Sequence, residues 1–236
     1  MKRAAGDRSE QKLVWDLPTR AFHWTLVACV AGSWMTHELG MQWFEWHERL
    51  GYATLVLVCF RIAWGFVGPR HARFSSFLRG PAAVADYARG LGRRDGLTTP
   101  GHNPLGGLAV IAMLGLLLFQ ATTGLFANDE ILSTGPLYGY VADETSDRLT
   151  GLHKKSFDLL LVLLGLHLAA VLFYLLWKRV DLVRPMFTGR KPVGQMQVPE
   201  GITGQRPWLA VALVAVFAGA LWWVVSTAPP ASLSFF

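Results

Sequence analysis

Five long apolar stretches constrain this chain more than any other feature: Phe22 to Thr36, Leu50 to Val67, Leu105 to Ala127, Phe157 to Trp177 and Trp208 to Ser226. A helix needs about 20 mostly apolar residues to cross hydrocarbon. Here 52% of residues are hydrophobic and only 16% charged, and the apolar ones are gathered in blocks instead of alternating with polar ones. The expected fold class is all-α integral membrane, with five spans. The first stretch is short on its own, but Trp24 at one flank and Trp34 and Trp43 at the other extend it as interfacial aromatics.

The net charge of +6 does not indicate a nucleic-acid partner, because the cations sit in alternate connections. Of 22 Lys and Arg, five precede Phe22, six lie between Gly68 and Pro104, and six between Lys178 and Pro207. By the positive-inside rule the N-terminus is expected in the cytoplasm and the C-terminus outside. Arg49, Arg148, Lys154 and Lys155 fall on the other side. There Glu38, Glu45, Glu48, Asp129, Glu130, Asp143, Glu144 and Asp147 outnumber them. About twenty polar and basic residues precede the first stretch and no small-residue cleavage site follows it, so it is expected to be retained as a span.

The chain then reads as a cytoplasmic N-terminal segment (1–20), a four-helix core (21–187), a linker rich in Gly and Pro (188–207), a fifth span (208–226) and an outer tail (227–236). Within the connection from Gly68 to Pro104, the spacing of Phe77, Leu78, Val84, Tyr87 and Leu91 predicts a short interfacial helix, with an ordinary connector as the alternative. Cys29 and Cys59 lie in separate spans without Cys-x-x-Cys spacing. Disulfides, structural zinc and covalently attached haem are therefore unsupported.

Imidazole is costly in hydrocarbon unless it binds something, so intramembrane histidines are functional candidates. His153 and His167 lie 14 residues apart on the fourth span, close to four helical turns, or about 21 Å along one face. That spacing suits one axial nitrogen for each of two macrocycles at different depths. Depth pairs His167 with His23 on the cytoplasmic side and His153 with His47 on the outer side. Bis-histidine ligation leaves iron no open position, which suits electron transfer. His37, 14 residues after His23, competes with His47 for the outer position. Gly51, one turn beyond His47, removes bulk where a porphyrin face would lie.

Several motifs sharpen this. The stretch Trp15-Asp16-Leu17-Pro18-Thr19-Arg20-Ala21-Phe22-His23-Trp24 resembles the opening of the bacterial cytochrome b561 family, which is related to the cytochrome b subunits of nickel-iron hydrogenases. So do His47-Glu48-Arg49-Leu50-Gly51 with Arg61 downstream, Gly101-His102-Asn103-Pro104-Leu105-Gly106-Gly107, Gly151-Leu152-His153 and Gly165-Leu166-His167. The likeness covers roughly residues 13 to 191. It implies a four-helix transmembrane bundle holding two non-covalent b haems, with His23, His47, His153 and His167 as iron ligands. The fifth C-terminal helix departs from that pattern.

Arg20 and Arg61, near the cytoplasmic ends of their helices, suit haem propionates, because guanidinium pairs bidentately with carboxylate. His102 either orients a quinone or a propionate or belongs to helix-start chemistry with Asn103 and Pro104, and the latter is preferred. The expected function is electron transfer across the bacterial inner membrane, between a quinone pool and a periplasmic c-type cytochrome or a hydrogenase-like dehydrogenase. Such a chain is either a carrier or the membrane anchor of an oxidoreductase. The alternatives are a free-standing superoxide- or quinol-linked oxidoreductase and, in another class, a haem-free metal transporter or scaffold.

Overall fold

In the computed structural model, which describes residues 10–93, 98–129 and 133–230, the chain is mostly helical. Glu130 and the outermost parts of the two terminal segments lie outside the described residues. A short strand β1 (Gln11–Leu13) precedes α1 (Leu17–Glu38) and, after a 3-10 turn at Met41–Trp43, α2 (Phe44–Val67). The single turn α3 (Phe74–Phe77) and α4 (Pro81–Arg89) lead to α5 (Pro104–Gly124) and α6 (Asp143–Leu176). The chain then runs through α7 (Val183–Thr188), strand β2 (Arg190–Pro192) and α8 (Pro207–Ser226).

Four segments among the described residues are long and apolar enough to cross a membrane: Met41–Val67, Pro104–Gly124, Asp143–Leu176 and Pro207–Ser226. The first of the five expected spans is not among them. α1 has 22 residues and thus a length of about 33 Å. Its apolar residues, however, are interrupted by Thr19, Arg20, His23, Ser33, Thr36 and His37. Elsewhere apolar side chains face outward, as with Leu166 and Leu168, each 62% exposed on α6. Surface of that kind matches lipid, where lipid tails and Leu are equally apolar.

The helix starts are set by local chemistry. Asp16 accepts the Thr19 backbone N–H at 2.8 Å and the Thr19 hydroxyl at 2.8 Å. It thereby caps α1, and Pro18 follows where its missing donor costs nothing. Asn103 caps α5 in the same way through the Gly106 N–H at 2.7 Å, with Pro104 as the first helical residue. Asp143 and Glu144 open α6, where negative charge complements the helix dipole.

The chain divides into two compact units, and the division falls within the long helices. The first comprises Met1–His23, Arg61–Ala112 and Leu163–Ala210. In it β1 pairs antiparallel with β2, Gln11 opposite Pro192 and Leu13 opposite Arg190. Val14, Trp15, Val193 and Met196 are buried together beneath Met186. The N–H groups of Val14 and Trp15 donate to the Gly189 carbonyl at 2.7 and 3.1 Å. Gly189 has φ of +77°, and a Cβ there would come within 2.7 Å of the Trp15 carbonyl, so only glycine fits.

The segment 188–207, whose composition reads as a linker, is therefore tied down along its length. Gln197 N–H donates to the Thr98 carbonyl at 2.9 Å and Ile202 N–H to the Leu13 carbonyl at 2.8 Å. Lys191 is buried and donates to the Thr98 hydroxyl and, at 2.8 Å, to the Thr99 carbonyl. Burial pushes its ammonium down to about 8. A short helix, α4, is present in the connection where an interfacial helix is expected, and it is shorter than the apolar spacing suggests. Val84 and Tyr87 lie on α4, whereas Phe77 is buried in α3 with its ring 5.8 Å from that of Phe74, and Leu91 lies beyond the end of α4.

The second unit comprises Trp24–Phe60, Met113–Val162 and Val211–Phe236. A Cβ on Gly32 of α1 would come within 2.9 Å of the Leu50 side chain on α2, so the missing side chain permits that approach. The chain after α5 folds back on itself, with Gly135 N–H on the Ala127 carbonyl at 2.7 Å and Leu137 N–H on that of Leu125 at 2.8 Å. Asn128 pins this loop to α6 by donating to the Ser146 hydroxyl at 2.6 Å and to Asp147 at 2.9 Å.

Candidate functional site

The histidines come together in two places, one in each unit. In the first unit, His23 from α1 and His167 from α6 face each other with ring centres 6.5 Å apart. In the second, His47 from α2 and His153 from α6 have ring centres 6.2 Å apart. An iron held between two coaxial imidazole nitrogens places the ring centres about 6.3 Å apart, from metal–nitrogen bonds of about 2.0 Å and a ring radius of about 1.15 Å. Both pairs have the separation that such ligation requires. No group of three or more His, Cys, Asp or Glu side chains among the described residues forms a conventional metal cluster.

Ring orientation in the second unit fits as well. His47 Nδ1 lies 2.9 Å from the Ser33 carbonyl and His153 Nδ1 2.9 Å from the Gln120 carbonyl. A carbonyl only accepts, so each Nδ1 carries the proton and each Nε2 keeps its lone pair. Metal-bound histidines are fixed in this way by their outer hydrogen bonds. The Gln120 amide, 3.3 Å from His153 Nε2, is a donor facing that lone pair. The ring of His153 packs where Gly124 has no side chain, since a Cβ there would come within 2.9 Å of Cε1.

His37, the rival ligand, has its ring centre 6.1 Å from that of His47, so centre-to-centre distance does not separate it from His153. The two differ in setting. His37 is exposed in the last turn of α1, whereas His153 is held by the Gln120 carbonyl and the bare Gly124. A Cβ on Gly51 would meet nothing within 4 Å, and the same holds for Gly151 and Gly165, which precede His153 and His167 by two residues. Open space of this kind is compatible with a flat macrocycle against the helix.

The two arginines have different surroundings. Arg20 donates from Nη1 to the Phe187 carbonyl, tying α1 to α7, while its Nε is buried without a hydrogen-bond partner among the described residues. Arg61 is 3% exposed, forms no ion pair among the described residues, and its Nη1 has no hydrogen-bond partner there. Its guanidinium lies 5.5 Å from the centre of the Phe74 ring. The buried Asp16 carboxylate attracts it without forming an ion pair, and a guanidinium buried this deeply is costly unless its remaining donors also meet an acceptor. That orphaned donor is what a haem carboxylate would satisfy.

Sequence reasoning missed several participants. The carbonyls of Ser33 and Gln120 carry no side-chain signature. The Asp16 carboxylate, besides capping α1, accepts the Trp64 indole N–H at 3.1 Å and so joins α1 to α2. The Asp-Leu-Pro start of α1 was a readable signal for the cap, but not for the indole.

Comparison with known proteins agrees with these features. A sequence model described as prokaryotic cytochrome b561 matches residues 14–189. No curated protein and no solved structure matches the chain. The matched span contains both histidine pairs and covers well over half of the sequence. The chain belongs to the prokaryotic cytochrome b561 family, helical membrane proteins that bind b haem and transfer electrons.

Proposed function

We propose that the chain holds two b haems, one between His23 and His167 and one between His47 and His153, and carries electrons across the bacterial inner membrane. Its partners in this reading are a quinone pool and a periplasmic redox protein, either a c-type cytochrome or a hydrogenase-like dehydrogenase. The observation that carries the reading is the pair of ring separations, 6.5 and 6.2 Å, each suited to one six-coordinate iron. Haem b, when bound, supplies a reversible one-electron ferric–ferrous couple.

The protein's part is positional. Ser33 and Gln120 hold the outer imidazoles in the tautomer that presents Nε2. The four ligands come from α1, α2 and α6, which fixes them on rigid elements. Positive charge in alternate connections supports a cytoplasmic N-terminus and a periplasmic C-terminus, with α1 as an additional span. The outer carboxylates support a cationic periplasmic partner: Glu45 and Glu144 are paired with Arg49 and Arg148, but Glu38, Asp143 and Asp147 are also exposed and form no ion pair among the described residues.

A reduced-minus-oxidised spectrum of the purified protein with a pyridine haemochrome assay tests the proposal. The expected result is a low-spin b-type α band and two haems per chain. Absence of that band would refute it and favour a haem-free transporter or scaffold.

A further inference from the structure

His102 belongs neither to the four ligands nor to the cap of α5, which Asn103 provides. Its ring is fixed between two aromatics, 4.6 Å from the centre of Phe77 and 4.8 Å edge-on to Trp15. Its Nδ1 is buried and has no hydrogen-bond partner among the described residues. Phe77 packs on Phe74, and Phe74 carries the Arg61 guanidinium. One aromatic row in the first unit thus presents two buried donors with nothing to bind, Arg61 Nη1 at one end and His102 Nδ1 at the other.

We propose that Arg61 and His102 form a carboxylate cradle for the propionates of the haem held by His23 and His167. The proposal rests on the di-haem reading. A buried guanidinium calls for an anion rather than a neutral carbonyl, and charge-assisted hydrogen bonds to carboxylate are about twice as strong as neutral ones. Burial and the charges of Arg61, His71, His167 and His23 push His102 down to about 3, so its imidazole is neutral at physiological pH. As a neutral ring it donates one N–H, and Arg61 supplies the charge. His71 is committed elsewhere, with Nε2 3.2 Å from the Glu200 carbonyl. Arg20 is held by Phe187. Arg20 too keeps a buried Nε without a hydrogen-bond partner among the described residues, whereas Arg61 and His102 share the aromatic row of Phe74 and Phe77.

The test uses full-length holoprotein carrying haem labelled with carbon-13 in the propionate carboxylates, with redox-difference infrared spectra and redox titration. Haem count is checked first. A wild-type protein lacking the haem assigned to His23 and His167 overturns both the di-haem reading and the cradle. With two haems present, Arg61→Gln should shift the labelled carboxylate bands and lower the midpoint potential of one haem. Removing the cation exposes the iron to uncompensated propionate charge, which favours the ferric state. The expected drop is about tenfold in the reduction equilibrium, or 59 mV for one electron. His102→Gln should move the same bands and lower the same potential by a smaller factor. Arg61→Lys, which keeps the charge, should recover most of the potential and guards against a folding defect in Arg61→Gln. Unchanged bands and potentials would overturn the cradle. A raised KM for a short-chain quinol analogue in those same variants would then assign the two donors to a quinone.

Discussion

The two histidine pairs are similar in geometry and differ in what surrounds them. The pair in the first unit stands with a buried arginine, a buried histidine with an open donor, and a sheet-and-loop cap built from residues far apart in sequence. The pair in the second unit is oriented by two backbone carbonyls and has a third histidine within ligand distance. The first environment manages charge, and the second manages ring orientation. If both pairs hold haem iron as proposed, identical ligands in such unlike settings acquire different potentials, because hydrogen bonding, nearby charge and burial tune the iron. A difference in potential between two haems gives electron flow a preferred direction.

Variants can break that comparison. The largest effect is expected at the outer pair. His47→Ala should remove one of the two haems, whereas His37→Ala should leave both, as read by pyridine haemochrome. The reverse outcome would make His37 the ligand and leave His47 as its neighbour. Next in size, Gly124→Ala places a methyl about where His153 Cε1 needs 2.9 Å of clearance. Overpacking of this kind costs about 1–3 kcal/mol. The outer haem should show an altered low-spin g value in electron paramagnetic resonance, with the inner signal unchanged.

In the first unit, Asp16→Ala removes the cap of α1 and leaves the Trp64 indole without its acceptor. Loss of such a cap costs about 1 kcal/mol. The thermal midpoint should fall while two haems remain. An unaltered midpoint would show that the cap contributes nothing to this unit.

The smallest effect concerns Lys191. Its folded value, about 8, lies below the ordinary 10.5. Below pH 8 it is charged in both states and the burial cost is fully present. Between pH 8 and 10.5 the folded state releases the proton first, so stability rises with pH. Relative to Lys191→Met, the wild-type unfolding temperature should climb across that window. A constant difference would contradict the burial of a charged ammonium.

Much of this architecture was legible in the sequence, for stated reasons. Lipid demands apolar length, so α2, α5, α6 and α8 announce themselves. Imidazole is expensive in hydrocarbon, so His23, His47, His153 and His167 stand out from the chain around them. α1 was harder to read because the polar residues that equip it, His23 and Arg20 among them, are those that dilute its apolar character. The cap was invisible because β1 and β2 are three residues each and pair across almost the whole chain. Gly and Pro in residues 188–207 signal turns, and turns are as compatible with a tied-down strap as with a loose linker. The orienting carbonyls of Ser33 and Gln120 could not be foreseen, since every residue has one.

The central claim is the pairing itself, and double substitutions test it most directly. If His23 and His167 hold one iron, removing both should cost no more haem than removing either, and the same applies to His47 with His153. Removing one member of each pair, as in His23→Ala with His153→Ala, should leave none. The account predicts one haem per chain for the two matched double variants and zero for the crossed one. Zero haem in a matched variant that still folds, or one haem in the crossed variant, would contradict it.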